Sequence, residues 1–250
     1  MYTRVKTPDE IKAMRESGRM LGTVLNVLVK ETVVGITTKE IAQIAAKELK
    51  ALGGKPAFLG YQGFRDVICI SVNDAVVHGI PSEHYVLQKG DIVGLDFGVT
   101  YRGMITDAAR SIIVGTAKLA DQKLVQATSD ALDAGIFAVK DGCKTGDIAA
   151  AVQTVLDRGN YGIVRDLVGH GVGHHVHEEP NVPNYGKAGT GDTLQAGMTI
   201  AIEPMATLGD WRVRQHRDGW TILTADGSRS AHFEDTVLVT QDGAEILTRV

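Results

Sequence analysis

The chain has 250 residues, 44% of them apolar, 22% charged and 5% aromatic, which is the composition of a folded globular protein rather than a disordered or fibrous one. With 26 Lys and Arg against 30 Asp and Glu, the net charge of -4 offers no basic field for nucleic acid, so a dedicated or sequence-specific DNA or RNA binder is excluded. No apolar run approaches the roughly 18 residues that cross a bilayer, and the opening MYTRVKTPDE has neither an apolar h-region nor a cleavage signature, so a cytoplasmic protein without a membrane partner is expected. Cys69 and Cys143 form no CxxC and no disulfide framework and are expected as free thiols.

Along the chain, Pro8 to Lys30 and Glu40 to Leu52 carry apolar residues at helical spacing, with Thr7 and Thr38 as N-caps and Gly53-Gly54 as a stop. Strands are predicted at Val67 to Val72, Asp91 to Val99 and Ala109 to Val114, with Tyr101-Arg-Gly-Met104 as a hairpin turn. Further strands fall at Thr199 to Ile202 and Thr236 to Val239. The two halves echo one another. Gly35 to Leu49 lies over Gly142 to Val155 at an offset of 107, and Leu87 to Asp96 lies over Leu194 to Glu203 at the same offset, so Asp96 falls on Glu203. At a different offset, His78-Gly-Ile-Pro81 matches His177-Glu-Glu-Pro180. An ancient duplication follows, with halves of about 1–120 and 121–250 in one domain spanning 1–250. Helices leading into antiparallel strands, twice over, predict a layered α+β or α/β domain with pseudo-twofold symmetry.

Carboxylates inside apolar strands need a reason, because a charged side chain is rarely buried unless paired or metal-bound. Asp96 interrupts IVGLDFGV, Glu203 interrupts TIAIEPMA, Asp107 precedes AARSIIV and Glu234 precedes TVLVT. Asp107 and Glu234 are each expected to begin a strand, and the pseudo-twofold would bring all four acids to the centre. Four converging carboxylates repel and raise one another's pKa unless cations neutralise them, and two divalent ions balance the charge.

Histidine supplies a nitrogen ligand. NDAVVHGIP holds His78, and GHGVGHHVHEEP holds His170, His174, His175 and His177. His174 and His175 read as solvated loop residues. His170 lies between glycines, where the backbone is expected to come close to a ligand. An oxygen-rich set with one imidazole and no thiolate suits Mn, Fe, Co or Zn rather than a structural zinc. Glu203 and Glu234 equally suit the role of general base, but four acids with one His favour a dinuclear hydrolytic centre.

On these residues the chain resembles the type I methionine aminopeptidases, short bacterial metallopeptidases of the pita-bread fold. The resemblance spans nearly the whole length through ISVNDAVVHGIP, DIVGLDFGV, the eleven-residue step to Asp107, GHGVG, HEEP, IAIEPM and Glu234. It implies an α+β fold and removal of the initiator methionine from nascent chains whose second residue is small. Two divalent ions are implied, bridged by Asp107 and Glu234, with His170 and Glu203 completing one site and Asp96 the other. Glu203 becomes the proton acceptor, while His177 and His78 become donors to the substrate. A monomer that meets nascent chains through transient ribosome contact is also implied.

Phe58, Tyr61 and Phe64 cluster in a chain poor in aromatics, and Gly60 and Gly63 favour a loop there; core packing is the competing explanation. By the resemblance this segment, with Cys69 and Trp220, surrounds the methionine side chain, which a soft apolar pocket suits. Three positions depart from the family pattern. Val176 precedes His177 where an aromatic is usual, Phe58 replaces a smaller residue, and Asp235 follows Glu234 where His is frequent. These bear on the pocket's dimensions, and Phe58 is expected to fill the volume that Val176 leaves. A proline-directed peptidase of the same fold is the second enzyme reading, and a non-catalytic binding protein the third.

Overall fold

The computed structural model describes residues 3–250. In chain order the elements are α1 (Pro8–Glu31), α2 (Thr38–Leu52), β1 (Lys55–Pro56), β2 (Cys69–Val72), β3 (Ala75–Val77), β4 (Ile92–Tyr101), β5 (Met104–Ile113), α3 (Leu119–Phe137) and α4 (Thr145–Asp157). There follow β6 (Gly162–Ile163), β7 (Gly169–Gly171), β8 (Glu178–Val182), β9 (Thr199–Ile202), β10 (Met205–Thr207), β11 (Val213–Gln215), β12 (Ile222–Thr224), β13 (Ser230–His232), β14 (Glu234–Val239) and β15 (Ala244–Ile246).

The first helix forms as its sequence dictates. Thr7 accepts from the Glu10 amide, and the Glu10 carboxylate accepts from the Thr7 amide, a reciprocal cap ahead of Pro8. For α2 the cap is Thr37, not Thr38: Thr37 pairs reciprocally with Glu40, and Thr38 is the first helical residue. Gly53 ends α2 in the left-handed conformation, at φ 82°.

Strands β1-β4-β5-β14-β9-β7-β8 form a mixed-length sheet of nine strands, β2 joining β4 and β15 joining β14, and the pairings are antiparallel. The β4–β5 hairpin turns at Arg102 and Gly103, both at positive φ (49° and 79°), as a two-residue turn between right-twisted strands requires. Several predicted strand bounds move, among them β4, which runs from Ile92 to Tyr101 rather than Asp91 to Val99. β2 starts at Cys69 rather than Val67, β14 starts at Glu234, and β5 starts at Met104, so Asp107 sits inside its strand instead of leading it.

Helices α1 and α2 bury Leu21, Leu25 and Ile41 against Leu95, Phe97 and Ala108 of β4 and β5, while Leu132 and Val152 of α3 and α4 meet Ile200, Ile202 and Val237 of β9 and β14. The offset of 107 reappears in the hydrogen bonds. Gly35 donates to the Leu87 carbonyl and Gly142 to that of Leu194, each at 2.9 Å, and the isolated bridges Thr37 to Val86 and Lys144 to Thr193 keep the same step.

Side chains alternate across a strand, and that alternation places the acids. Leu95 and Phe97 point into the helix-side core, so Asp96 between them points to the opposite face; Asp107 beside Ala108 and Glu203 after Ile202 follow the same rule. On β14, Glu234 faces the site, while Asp235 is buried behind it and accepts from Arg110, Thr248 and Arg249 at 2.6 to 2.7 Å. Asp235 therefore has no part in the pocket's dimensions; it ties the end of the chain to the sheet.

Candidate active site

All the acids and histidines singled out from the sequence, apart from Asp235, His174 and His175, converge on one cavity of about 160 Å3. Its polar floor carries Asp96, Asp107, His170, Glu203 and Glu234, and its apolar wall carries Phe58, Tyr61, Phe64, Cys69, Val176 and Trp220. Ligand atoms of Asp107, His170 and Glu234 lie within 4.8 Å of one another, and Glu203 Oε1 stands 3.5 Å from His170 Nε2.

These residues fit a divalent metal by a test independent of their spacing. Asp96 Oδ1, Asp107 Oδ1 and Glu234 Oε1 are buried with no hydrogen-bond partner among the described residues, as suits oxygens that a bound ion completes. Burial and neighbouring carboxylates push Asp96, Glu203 and Glu234 well above the usual acid range, and burial takes Asp107 up to about 7. Donors from the sheet lock the backbone behind them. Thr236 Oγ1 accepts from the Asp107 amide and donates to its carbonyl, at 2.9 and 2.8 Å, while Arg110 donates to the Glu234 carbonyl at 2.6 Å.

The histidines are kept neutral. His170 Nδ1 lies 2.9 Å from the Gly171 carbonyl, which can only accept, so the proton sits on Nδ1 and Nε2 faces the acids with a free lone pair. Burial lowers its pKa to about 3. His78 is drawn to about 4 by burial and then by His177, and its backbone adopts φ 60°, an uncommon conformation for a residue with a side chain. His177 is exposed at the cavity mouth, yet its ring packs 4.4 Å from His170 and is enclosed enough for burial to lower its pKa. Tyr61 Oη lies 2.9 Å from His177 Nδ1.

On the apolar side Phe58, Phe64, Cys69 and Val176 form one buried cluster joined by Tyr61 and Trp220, with the Phe64 and Trp220 rings edge to face at 5.1 Å. Gly98 makes room for Phe58: a Cβ there would lie 2.6 Å from the ring. Tyr61 to Gly63 make one short 3-10 turn between Gly60 at φ 84° and the left-handed Gly63, so the segment is a loop as expected.

Two expectations about the histidine-rich loop change. Gly169 and Gly171 serve strand packing rather than approach to a ligand, since a Cβ on Gly169 would lie 2.4 Å from the Ala201 carbonyl and one on Gly171 2.6 Å from that of Glu179. His174 is not simply solvated: its Nε2 lies 2.8 Å from Glu10 Oε1. Sequence reasoning missed His232, whose Nε2 is buried 3.7 Å from Glu203 and 3.9 Å from Glu234. Its place two residues before Glu234 was the available signal, but His232 ends β13 and Glu234 opens β14 in another sheet, so no single-strand alternation marks it for the site.

Residues 12–241 match metallopeptidase family M24. The methionine aminopeptidase of Clostridium perfringens is 43% identical over 98% of both chains, and methionine aminopeptidase 1 of Bacillus subtilis is likewise 43% identical over 98% of both. The crystal structure of the methionine aminopeptidase from Thermotoga maritima superimposes with a TM-score of 0.98 at 44% identity, covering 99% of this chain and 100% of that one. Prolidase from Pyrococcus furiosus shares the fold at a TM-score of 0.79 and 25% identity, but this chain covers 65% of its length. With the acids, the neutral histidines and the apolar wall in one cavity, these likenesses make the chain a member of metallopeptidase family M24, within its methionine aminopeptidases.

Proposed function

We propose that the chain removes N-terminal methionine from nascent proteins and peptides whose second residue is small, using two divalent cations held by Asp96, Asp107, His170, Glu203 and Glu234. The observation that carries this reading is the set of unpartnered, buried carboxylate oxygens beside an apolar, cysteine- and aromatic-lined wall. Bound cations of the Fe, Mn, Co or Zn type supply Lewis acidity, bringing the pKa of water towards neutrality and drawing charge from a carbonyl. Asp107 and Glu234 would hold the cations together with His170 and Glu203, which stand side by side, and with Asp96.

The remaining residues have roles of their own. Glu203 takes the proton from the attacking water. Tyr61 donates to His177 Nδ1, which leaves Nε2–H to donate to the scissile carbonyl as it gains charge. His78 donates to the amide beyond. Phe58, Tyr61, Phe64, Cys69 and Trp220 enclose the methionine side chain, whose unbranched thioether matches a soft apolar wall. The side of the cluster at Asp96 receives the free α-amine, so a blocked N-terminus is rejected. All of 1–250 acts as one catalytic unit, because each repeat supplies half of the acids. The reading takes it as a cytoplasmic monomer in transient contact with the ribosome.

Rates on Met-Ala-Ser, Met-Leu-Ser and Ala-Pro-Ser test the reading. Fast methionine release from the first alone is expected; comparable rates for the first two contradict the small second residue, and preference for Ala-Pro-Ser turns the assignment to a proline-directed peptidase.

A further inference from the structure

Lys6 is a cation that this chemistry leaves unused. Its side chain is 0% exposed, and its Nζ lies 3.5 Å from Glu178 Oε2, itself 2% exposed. The same Nζ donates to Thr3 Oγ1 at 2.7 Å and to the Arg4 carbonyl at 3.1 Å, and the Lys6 amide donates to the Gly197 carbonyl at 2.8 Å. A lysine taken out of water needs such compensation.

The other Glu178 oxygen faces the loop between β7 and β8. Oε1 accepts from the amides of His174 and His175, at 2.7 and 2.9 Å, so one carboxylate joins Lys6 to the two residues that precede Val176 and His177. Glycines leave space for the segment beneath. A Cβ on Gly173 would lie 2.5 Å from Lys6 Cε, and one on Gly171 would lie 2.7 Å from Thr3 Cβ. Farther along, Glu10 Oε1 accepts from His174 Nε2 at 2.8 Å and from Arg4 at 2.9 Å, while the Thr3 amide donates to the Glu179 carbonyl. Residues 3–10 thus grip the loop on both sides of Val176 and His177.

We propose that residues 3–10 are a positioning strap: Lys6, acting through Glu178, fixes the backbone that seats His177 and the Val176 wall, and so sets the rate of cleavage. This rests on the cavity's reading as a methionyl aminopeptidase site. A displacement of about 1 Å at a positioned donor can cost roughly 10²-fold in rate, so a strap remote from the reacting atoms can matter. An anchor that serves only stability would lower Tm and leave kcat alone.

The test uses the full chain loaded with Mn2+ and the variants Lys6→Met, Glu178→Gln and the pair together. It reads kcat and KM on Met-Ala-Ser, bound metal, and hydrogen exchange at the His174 and His175 amides. Lys6→Met is expected to lower kcat by roughly 10- to 10²-fold, with bound metal unchanged and both amides exchanging faster. The double variant is expected to recover part of the loss, because it no longer buries an unpaired carboxylate. A folded Lys6→Met with the parent's kcat overturns the strap, whether or not the amides exchange faster. Should Lys6→Met fail to fold, Thr3→Val removes one partner of Nζ and is held to the same two readings. If the parent itself does not cleave Met-Ala-Ser, the functional reading fails, and amide exchange alone decides the strap: unchanged protection in Lys6→Met overturns it.

Discussion

His170 and His177 lie ring against ring yet hold different duties. His170 is buried with Nε2 towards the acids, whereas His177 is oriented by Tyr61 at the mouth. Replacing His177 by Ala is expected to lower kcat by roughly 10²-fold or more with metal retained, the cost of losing an oxyanion donor. His170→Ala should instead lower bound metal, and elemental analysis separates the two; equal metal loss in both would refute the division. Phe58 and Val176 share one apolar cluster, so a double-mutant cycle on kcat/KM is expected to give a coupling of about 0.5 to 3 kcal/mol between Phe58→Cys and Val176→Phe. Additivity would make Phe58 ordinary core. At this scale the acids were legible because a charge inside an apolar strand is expensive. Lys6 was not, since its partner Glu178 lies 172 residues away and nothing local marks a lysine for burial.

At the scale of elements, β14 shows how a strand serves two purposes through alternation: Glu234 enters the site and Asp235 locks the sheet to Arg110 and the terminal segment. Asp235→Asn is expected to cost about 3 kcal/mol, at the low end for a broken buried pair because Arg249 is 40% exposed. Urea unfolding would show a lower midpoint at unchanged slope, and an unchanged midpoint would speak against the lock. The family pattern pointed Asp235 at the pocket; only its own burial against Arg110, Thr248 and Arg249 shows otherwise. The Thr37 cap was legible and passed over, since Thr37 and Glu40 have the capping-box spacing that Thr38 and Ile41 lack. The start of β5 was not, because Thr106, which meets Ser17 of α1, and Asp107, which faces the site, break the apolar pattern of the strand.

Across the whole molecule, the 107-residue step seen in the letters persists in the starts of α2 and α4, in bridges and in hydrogen bonds. What the duplication could not convey is the N-terminal segment folding back over the second repeat. The acid cluster also gives the molecule a characteristic pH response. Folding raises Asp107 to about 7 and the other three acids well above their usual range, so above about pH 4 these acids by themselves hold more protons in the folded state and make stability fall as pH rises. His78, lowered to about 4, and His170 and His232, lowered to about 3, all chiefly by burial, act the other way below about pH 6.5 and largely offset the acids there, so the net fall comes above it. In chelator, Tm is expected to drop between about pH 7 and 9, and excess cation should flatten the drop. Calorimetry with a flat Tm in chelator would contradict it.

Methionine release from Met-Ala-Ser, followed while Mn2+ is titrated into metal-free protein and bound metal is measured alongside, bears most directly on the site. No release is expected without metal, with full rate reached as about two equivalents bind per chain. Full-rate release from the metal-free protein would contradict the reading of Asp96, Asp107, His170, Glu203 and Glu234 as a metal centre.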